Sequence, residues 1–207
     1  MAVSPADKDS ASREALPRSP ELMRPDDTGL LVVDVQKAFV PVEPYCDRIV
    51  WNCRRLLDGA QVLGVRTFAT EQYPEKLGST VDLLADRLMT SATSKSAFSC
   101  GECGSVFLEW RESGIHRVLV CGIETHVCVQ QTVLDLLAAG FQVLVAVDAV
   151  GSRFTLDHKT ALRRMEASGA VLTTTESALF EWCERAGSPE FKQISALAKE
   201  QEPGTGG

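Results

Sequence analysis

The chain has 207 residues, a formal net charge of −7 and a sequence pI near 5.1. Its length fits one α/β domain, and 44% hydrophobic residues is ordinary for a globular protein. The acidic balance argues against a nucleic-acid partner, because phosphate backbones are bound by clustered Lys and Arg. No window reaches the ~18 apolar residues of a membrane span, and Asp7, Asp9 and Glu14 interrupt the place of a signal peptide. We therefore expect a cytoplasmic protein with no membrane partner.

The two ends of the chain differ in composition from its middle. Residues 1–28 are rich in Ser, Pro, Asp and Arg without periodicity, which predicts a flexible N-terminal tail. Residues 197–207 end in Pro-Gly-Thr-Gly-Gly and are predicted to form a flexible C-terminal tail. The interval 29–196 is predicted to be the folded domain.

Within this interval, a helical stretch, a glycine and a short β-rich run recur four times. The glycines are Gly64, Gly114, Gly140 and Gly169. A glycine just past a helix end supplies the left-handed cap, and the apolar run after it is typical of a buried strand. With the opening strand 30–35, this alternation predicts a Rossmann-like three-layer α/β/α fold with a mostly parallel sheet of about six strands. Ligands of such sheets bind outside the carboxyl ends of the strands.

Three residues are candidates for chemistry: Asp34 and Cys128 near such ends, and Lys95 just before a helix predicted to begin near Gly101. Asp34 closes an apolar strand, where a carboxylate is costly to bury unless it is paired or functional. Lys95 alone indicates little more than a solvated surface. Cys128 lies where a strand turns into a helix, and Thr125 as N-cap would place it at the third helical position. There the helix dipole would lower the thiol pKa, although a cysteine that only fills a helix–sheet gap is an equal alternative.

Together the three residues predict a nucleophilic mechanism. Cys128 attacks an electrophilic carbon, Asp34 takes the thiol proton and passes it to the leaving group, and Lys95 holds both. Backbone N–H groups of Glu124 and Cys128 would stabilise the oxyanion.

Five further residues are candidates for the substrate pocket, because they lie at or near the predicted strand ends. Each is equally compatible with plain packing. They are Gln36, Phe39, Gln72, Tyr73 and Thr125.

Three motifs follow one another along the chain: Asp34-x-Gln36 at the end of the first strand, Lys95 in the middle of the chain, and Gly122-Ile-Glu-Thr-His-Val-Cys128. With these motifs in this order, the chain resembles the isochorismatase-like cysteine hydrolases, a superfamily that includes nicotinamidases and N-carbamoylsarcosine amidases. The resemblance covers about residues 28–185, and the stretch 70–78 resembles the isochorismatase domain-containing proteins in particular. It implies Asp34 as base, Lys95 as its partner and Cys128 as nucleophile. It also implies a cis peptide bond between Ile123 and Glu124, and a homo-oligomer.

Two departures from the superfamily narrow the substrate. True isochorismatases lack the nucleophilic cysteine, so Cys128 argues against isochorismate. Nicotinamidases carry a histidine metal site after the second strand, where this chain reads Glu71-Gln-Tyr-Pro, and its three histidines have no ligand spacing. We therefore expect no metal and no cofactor, and doubt nicotinamide as substrate.

The sequence thus predicts a hydrolase that acts on a small-molecule amide or related C–N bond. One alternative is a non-catalytic scaffold that retains the fold, and another is a thiol redox protein. The redox alternative would use Cys128 or the C-x-x-C pair Cys100 and Cys103. In a chain of this size without a secretion signal, the seven cysteines are predicted to be reduced thiols.

Overall fold

The structure, a computed structural model, describes residues 16–203 and contains one six-stranded sheet with the order β3-β2-β1-β4-β5-β6. Every neighbouring pair of strands is parallel, as predicted for a Rossmann-like domain. The strands are β1 (Thr28–Val33), β2 (Arg66–Gln72), β3 (Thr93–Lys95), β4 (Arg117–Ile123), β5 (Gln142–Gly151) and β6 (Val171–Thr173).

Helices cover both faces of this sheet. They are α1 (Cys46–Leu63), α2 (Pro74–Leu77), α3 (Asp82–Ala85), α4 (Gly104–Glu112), α5 (Gln130–Ala138), α6 (Thr155–Ala167), α7 (Thr175–Cys183) and α8 (Phe191–Ala198). One core cluster joins the sheet to α1, α7 and α8, and a second joins it to α4, α5 and α6. The four predicted glycines all have positive φ after their helices, as left-handed caps require. No helix of the described residues is long and apolar enough to cross a membrane.

Both faces of the central strands are buried, which explains their continuous apolar runs. Leu30 and Val32 of β1 belong to the first core cluster, whereas Leu31 and Val33 belong to the second. All six residues of β1 and all seven of β4 are buried. A parallel sheet covered on two sides buries both sets of alternating side chains.

The packed part of the chain extends beyond both predicted tail boundaries. Met23 is fully buried, and its N–H donates to Glu181 Oε2 of α7 at 2.9 Å. The Arg18 guanidinium donates to two backbone carbonyls, those of Met23 and Glu181. At the other end, α8 continues to Ala198, and the Glu200 carboxylate pairs with Arg54. These segments have the composition of a tail, yet one buried apolar residue and a few long-range ion pairs attach them to the folded domain. Residues 1–15 and 204–207 of the predicted tails lie outside the described residues.

The register of β5 against β4 shifts near its end, so that β5 contains extra residues. Val120 faces Val145, whereas Gly122 faces Val150. Within this irregular segment, Asp148 Oδ1 accepts hydrogen bonds from the backbone N–H and the hydroxyl of Thr175. The Asp148 carboxylate thus anchors the start of α7, and the ladder between β4 and β5 resumes after the irregular segment.

Gly122 allows β1 and β4 to approach each other at their carboxyl ends. Its φ is 122°, and a Cβ there would lie only 2.0 Å from the carbonyl oxygen of Val33. Both the backbone conformation and the available space therefore require glycine.

We expect Gly122→Ala to lower the free energy of unfolding by about 2 kcal/mol or more, because the strand pair must separate to admit a methyl group. Chemical denaturation measures this change. Gly104→Ala is the matched control, since a Cβ at Gly104 meets nothing within 4 Å and its φ is helical. Equal stability of the two variants would contradict the steric account.

Candidate active site

Asp34 follows β1 directly and is fully buried. Its backbone has a positive φ of 51°, and its N–H donates to the carbonyl of Thr70. Both carboxylate oxygens have partners: Oδ1 accepts from Thr70 Oγ1 at 2.8 Å, and Oδ2 accepts from Lys95 Nζ at 2.7 Å. Both oxygens of this buried carboxylate are thus satisfied by donors within the protein.

Lys95 closes β3 and its side chain is also removed from solvent. Besides Asp34, its ammonium group donates to Gln72 Oε1 at 2.8 Å and to the carbonyl of Phe98 at 2.9 Å. The carbonyl of Ala97 lies at 3.2 Å. An ammonium has three donors, so these acceptors satisfy it completely. The lysine is therefore held rigidly beside Asp34.

Cys128 is buried and faces the same carboxylate. Burial raises the pKa of its thiol far above the ordinary value, and the charge of Asp34 and a hydrogen bond to it raise the pKa further. The nearby Lys95 ammonium acts in the opposite direction without cancelling these effects. The predicted lowering of the thiol pKa is therefore wrong, because desolvation and the adjacent carboxylate outweigh the positive end of the helix. At rest Cys128 is a thiol.

The predicted N-cap is also corrected. Glu124, with φ −91° and ψ 144°, occupies the cap position of a short π-helical turn over Thr125–Val129. The Thr125 hydroxyl instead bonds to Nδ1 of His158 at 3.0 Å, so it is not available for capping. Cys128 is consequently the fourth residue of the turn, not the third. The peptide bond between Ile123 and Glu124 is cis, as the resemblance implies.

The side chain of Glu124 fixes this turn to the loop after β5. Glu124 Oε1 accepts from the backbone N–H of Arg153 at 3.2 Å and from its Nε at 3.0 Å. Glu124 is buried, whereas the Arg153 side chain is half-exposed. In the sequence, an acidic residue just before the turn and an arginine just after β5 were the signs of this ion pair.

The five predicted pocket residues fall into different environments. Gln36 is fully buried, and its amide donates to the carbonyls of Gln72 and Gly78 and accepts from the N–H of Gln72. It clamps the ends of two strands, so its polar atoms are not available to a substrate. Gln72 holds Lys95, and Thr125 lies one turn before Cys128.

The two aromatic candidates are placed at the edge of the site region. Phe39 is partly buried against the first core cluster, which is a packing environment. Tyr73 is half-exposed and begins α2 directly after β2. The structure thus leaves Tyr73 accessible at the carboxyl end of the sheet.

Sequence reasoning did not place Thr70 or Cys100 at the Asp34 network, although it considered Cys100 as a redox thiol. Thr70 Oγ1 bonds both to Asp34 and, at 3.4 Å, to the sulfur of Cys100. The backbone N–H of Cys100 donates to Thr132 Oγ1, and burial raises the pKa of the Cys100 thiol to about 11. Thr70 faces Val33 in the register of β2 against β1. A polar residue at the end of a strand was the signal that could have identified it.

The residues present do not fit the metal site of nicotinamidases. Glu71 Oε1, in the corresponding stretch, accepts from the N–H and the hydroxyl of Thr80 at 2.6 and 2.7 Å. Within residues 16–203 no group of three or more His, Cys, Asp or Glu side chains is arranged to hold a metal ion. Cys100 and Cys103 are both buried in the second core cluster.

The raised pKa of Cys128 can be tested directly. We expect slow alkylation of Cys128 by iodoacetamide at neutral pH, with a rate that rises as the pH rises. Asp34→Asn removes the negative charge that raises the thiol pKa, so it should lower that pKa and accelerate labelling. Peptide mass spectrometry measures the rate at each cysteine.

Cys46 is the internal reference in this experiment, because its pKa of about 11 is set by burial and by acids other than Asp34. Maximal labelling of Cys128 already at neutral pH in the unmodified protein would show that the resting group is a thiolate. Equal acceleration of Cys46 and Cys128 by Asp34→Asn would indicate general loosening of the fold.

Comparison with known proteins agrees with this architecture. The isochorismatase domain family model matches residues 28–177. Isochorismatase domain-containing protein 2A of Mus musculus is 40% identical over 197 residues, which are 95% of this chain and 93% of that protein. Isochorismatase domain-containing protein 1 of Salmo salar is 38% identical over 88% of this chain, which spans only 64% of that protein. The solved structure of MAR1 ribonuclease from Caenorhabditis elegans has a TM-score of 0.82 at 38% identity, covering 89% of this chain and 96% of that one. The chain belongs to the isochorismatase domain family.

Proposed function

We propose that the protein is a metal-independent cysteine hydrolase that cleaves a small amide or related C–N bond. One observation carries the proposal: the buried Asp34 carboxylate lies between the Lys95 ammonium and the Cys128 thiol. We assign Cys128 as the nucleophile, Asp34 as the base and Lys95 as the cation that holds the base.

In the proposed first step, the sulfur of Cys128 forms a bond to the carbonyl carbon of the substrate. The thiol proton moves to the Asp34 carboxylate, which is necessary because the resting group is a thiol. The C–N bond then breaks, and Asp34 returns the proton to the departing nitrogen. Water attacks the resulting thioester, again giving a proton to Asp34, and release of the acid regenerates the thiol.

The charges of the site favour this sequence. Before reaction, the Lys95–Asp34 ion pair is neutral overall and the thiol is neutral. When the proton reaches Asp34, the buried cation of Lys95 is no longer balanced by the carboxylate, so it stabilises the oxyanion that forms nearby. We assign the direct oxyanion contacts to the backbone N–H groups of Glu124 and Cys128.

Two other features complete the proposal. A small-molecule substrate is favoured over RNA, the substrate class that the name of the Caenorhabditis elegans ribonuclease implies for that protein, because a net charge of −7 repels a polyanion. The proposal also includes self-association of the chain into a homo-oligomer, for which exposed apolar side chains such as Leu108 on α4 offer a contact surface. A scaffold function would not require a buried and fully satisfied ion pair beside the cysteine.

We expect Cys128→Ser to reduce amide hydrolysis by at least about 10³-fold, because the oxygen nucleophile lacks a base suited to it. Asp34→Asn should reduce turnover by about 10²–10⁴-fold through loss of proton transfer. Ammonia or amine release from a library of small amides measures both effects.

Cys103→Ser is the matched control, since Cys103 is also buried and lies outside the Asp34 hydrogen-bond network. Turnover that survives Cys128→Ser would contradict the nucleophile assignment. Absence of amide turnover together with cleavage of RNA that depends on Cys128 would replace the proposed reaction.

A further inference from the structure

A narrow crevice lies at the carboxyl end of β5, between the two helical layers. Arg48 and Tyr45 border it from the start of α1, Gly151 and Ser152 from the end of β5, and His158 from α6. None of these five residues belongs to the proposed catalytic set.

The crevice adjoins the catalytic turn. Gly151 is the register partner of Ile123, the residue before Glu124. His158 Nδ1 bonds to Thr125 Oγ1, three residues before Cys128, and Ser152 Oγ bonds to Nδ1 of His126 at 3.0 Å. Since β5 is the direct neighbour of β4 in the sheet, the end of β5 and the start of the turn that carries Cys128 lie about 5 Å apart. A ligand of a few bonds in length spans that distance.

Arg48 is the unusual member of the crevice, because it is a cation outside any ion pair. None of the ion pairs formed by residues 16–203 includes it. Its Nε is buried and has no hydrogen-bond partner there, and its guanidinium lies 4.7 Å from the ring centroid of Tyr45. It also lies in the first turn of α1, where the helix dipole disfavours a positive charge.

Among the described residues, neither of the two nearby carboxylates forms an ion pair with Arg48. Glu124 is occupied by Arg153. Glu43 is buried, its Oε1 accepts from the N–H of Tyr45, and its Oε2 has no partner among the described residues. Burial raises the pKa of the Glu43 carboxyl, and the charge of Arg48 acts in the opposite direction without cancelling this effect, which weakens Glu43 as a counterion. Keeping an unpaired, partly desolvated guanidinium at this place is costly, so it is best explained by a ligand that pairs with it.

We infer that the crevice is a carboxylate subsite, and that Arg48 binds an anionic group of the substrate while its amide carbon lies at Cys128. This inference rests on the proposed function and names its substrate class: short linear amides with a terminal carboxylate. The planar guanidinium suits a carboxylate because it forms two parallel hydrogen bonds. Tyr45 holds the guanidinium plane by stacking.

The test compares two series of amides of matched length, with and without the carboxylate. The first runs from malonamate to adipamate, and the second contains the corresponding neutral alkanamides. For the carboxylate series, Arg48→Met should raise KM by about 10- to 100-fold, with kcat little changed. For the neutral series, KM should stay unchanged. Arg48→Lys should lose most of the affinity too, because an ammonium cannot form the paired bonds.

Arg163→Met is the matched control, since Arg163 is exposed on α6 and does not border the crevice. It should leave both series unchanged. Equal effects of Arg48→Met on the two series, or no effect on either, would overturn the inference. If Arg48→Met does not fold, Arg48→Lys provides the same comparison with the charge retained.

Binding separates this inference from the proposed function. Calorimetric titration of the carboxylate series into the Cys128→Ser variant measures affinity without turnover. Binding that Arg48→Met abolishes, in a protein that hydrolyses none of these amides, would support the subsite and contradict the proposed reaction. Absence of binding by every member of the series would overturn the subsite, whether or not neutral amides are hydrolysed.

Discussion

The buried charge of Asp34 is the constraint on which the rest of the site depends. Its carboxylate has no contact with water, so each oxygen needs a donor, and Thr70 and Lys95 supply them. Lys95 in turn needs acceptors, which Gln72 and the loop after β3 provide. Removing one partner of a buried ion pair typically costs about 3–5 kcal/mol, because a charge is left unpaired. The network is therefore held together as a unit, and the same contacts position the Asp34 carboxylate beside the Cys128 thiol.

The topology explains how residues so far apart in sequence meet. The strands lie in the order β3-β2-β1-β4, and each delivers one group to the site at or just beyond its carboxyl end. These groups are Lys95, Thr70, Asp34 and, through the turn after β4, Cys128. Parallel strands end on the same edge of the sheet, so a single edge collects all four. The chain adds strands outward on one side of the sheet from β1 to β3, and then outward on the other side from β4 to β6. Ligands of such sheets bind in the crevice at this switch point, which lies between β1 and β4.

Sequence patterns predicted five of the six strands, the helix-ending glycines and the edge at which Asp34 and Cys128 lie, whereas β3, which ends at Lys95, was too short to be predicted. They failed where the answer depends on which groups share a buried space. The sign of the Cys128 pKa change follows from burial and from the nearby carboxylate, neither of which the helix position reveals. Thr125 suits an N-cap by type, but its hydroxyl bonds to His158 from α6. Gln36 likewise stands at a strand end, yet three backbone contacts occupy its amide.

In the proposed mechanism, a protonated thiol beside a satisfied ion pair keeps the reactivity of Cys128 low until a substrate is bound. An exposed thiolate reacts with many electrophiles and oxidants, whereas a buried thiol reacts only when its proton can pass to Asp34 as the new bond forms. Selectivity must then come from whatever holds the carbonyl carbon at the sulfur for long enough. On the β1 side of the turn, Thr70, Gln72 and Lys95 already form hydrogen bonds that hold Asp34 or one another, so few of their polar atoms are free to bind a substrate. The unpaired cation on the β5 side is free to do so. The two tasks are thus divided between the two strands that flank β4, with the catalytic turn between them.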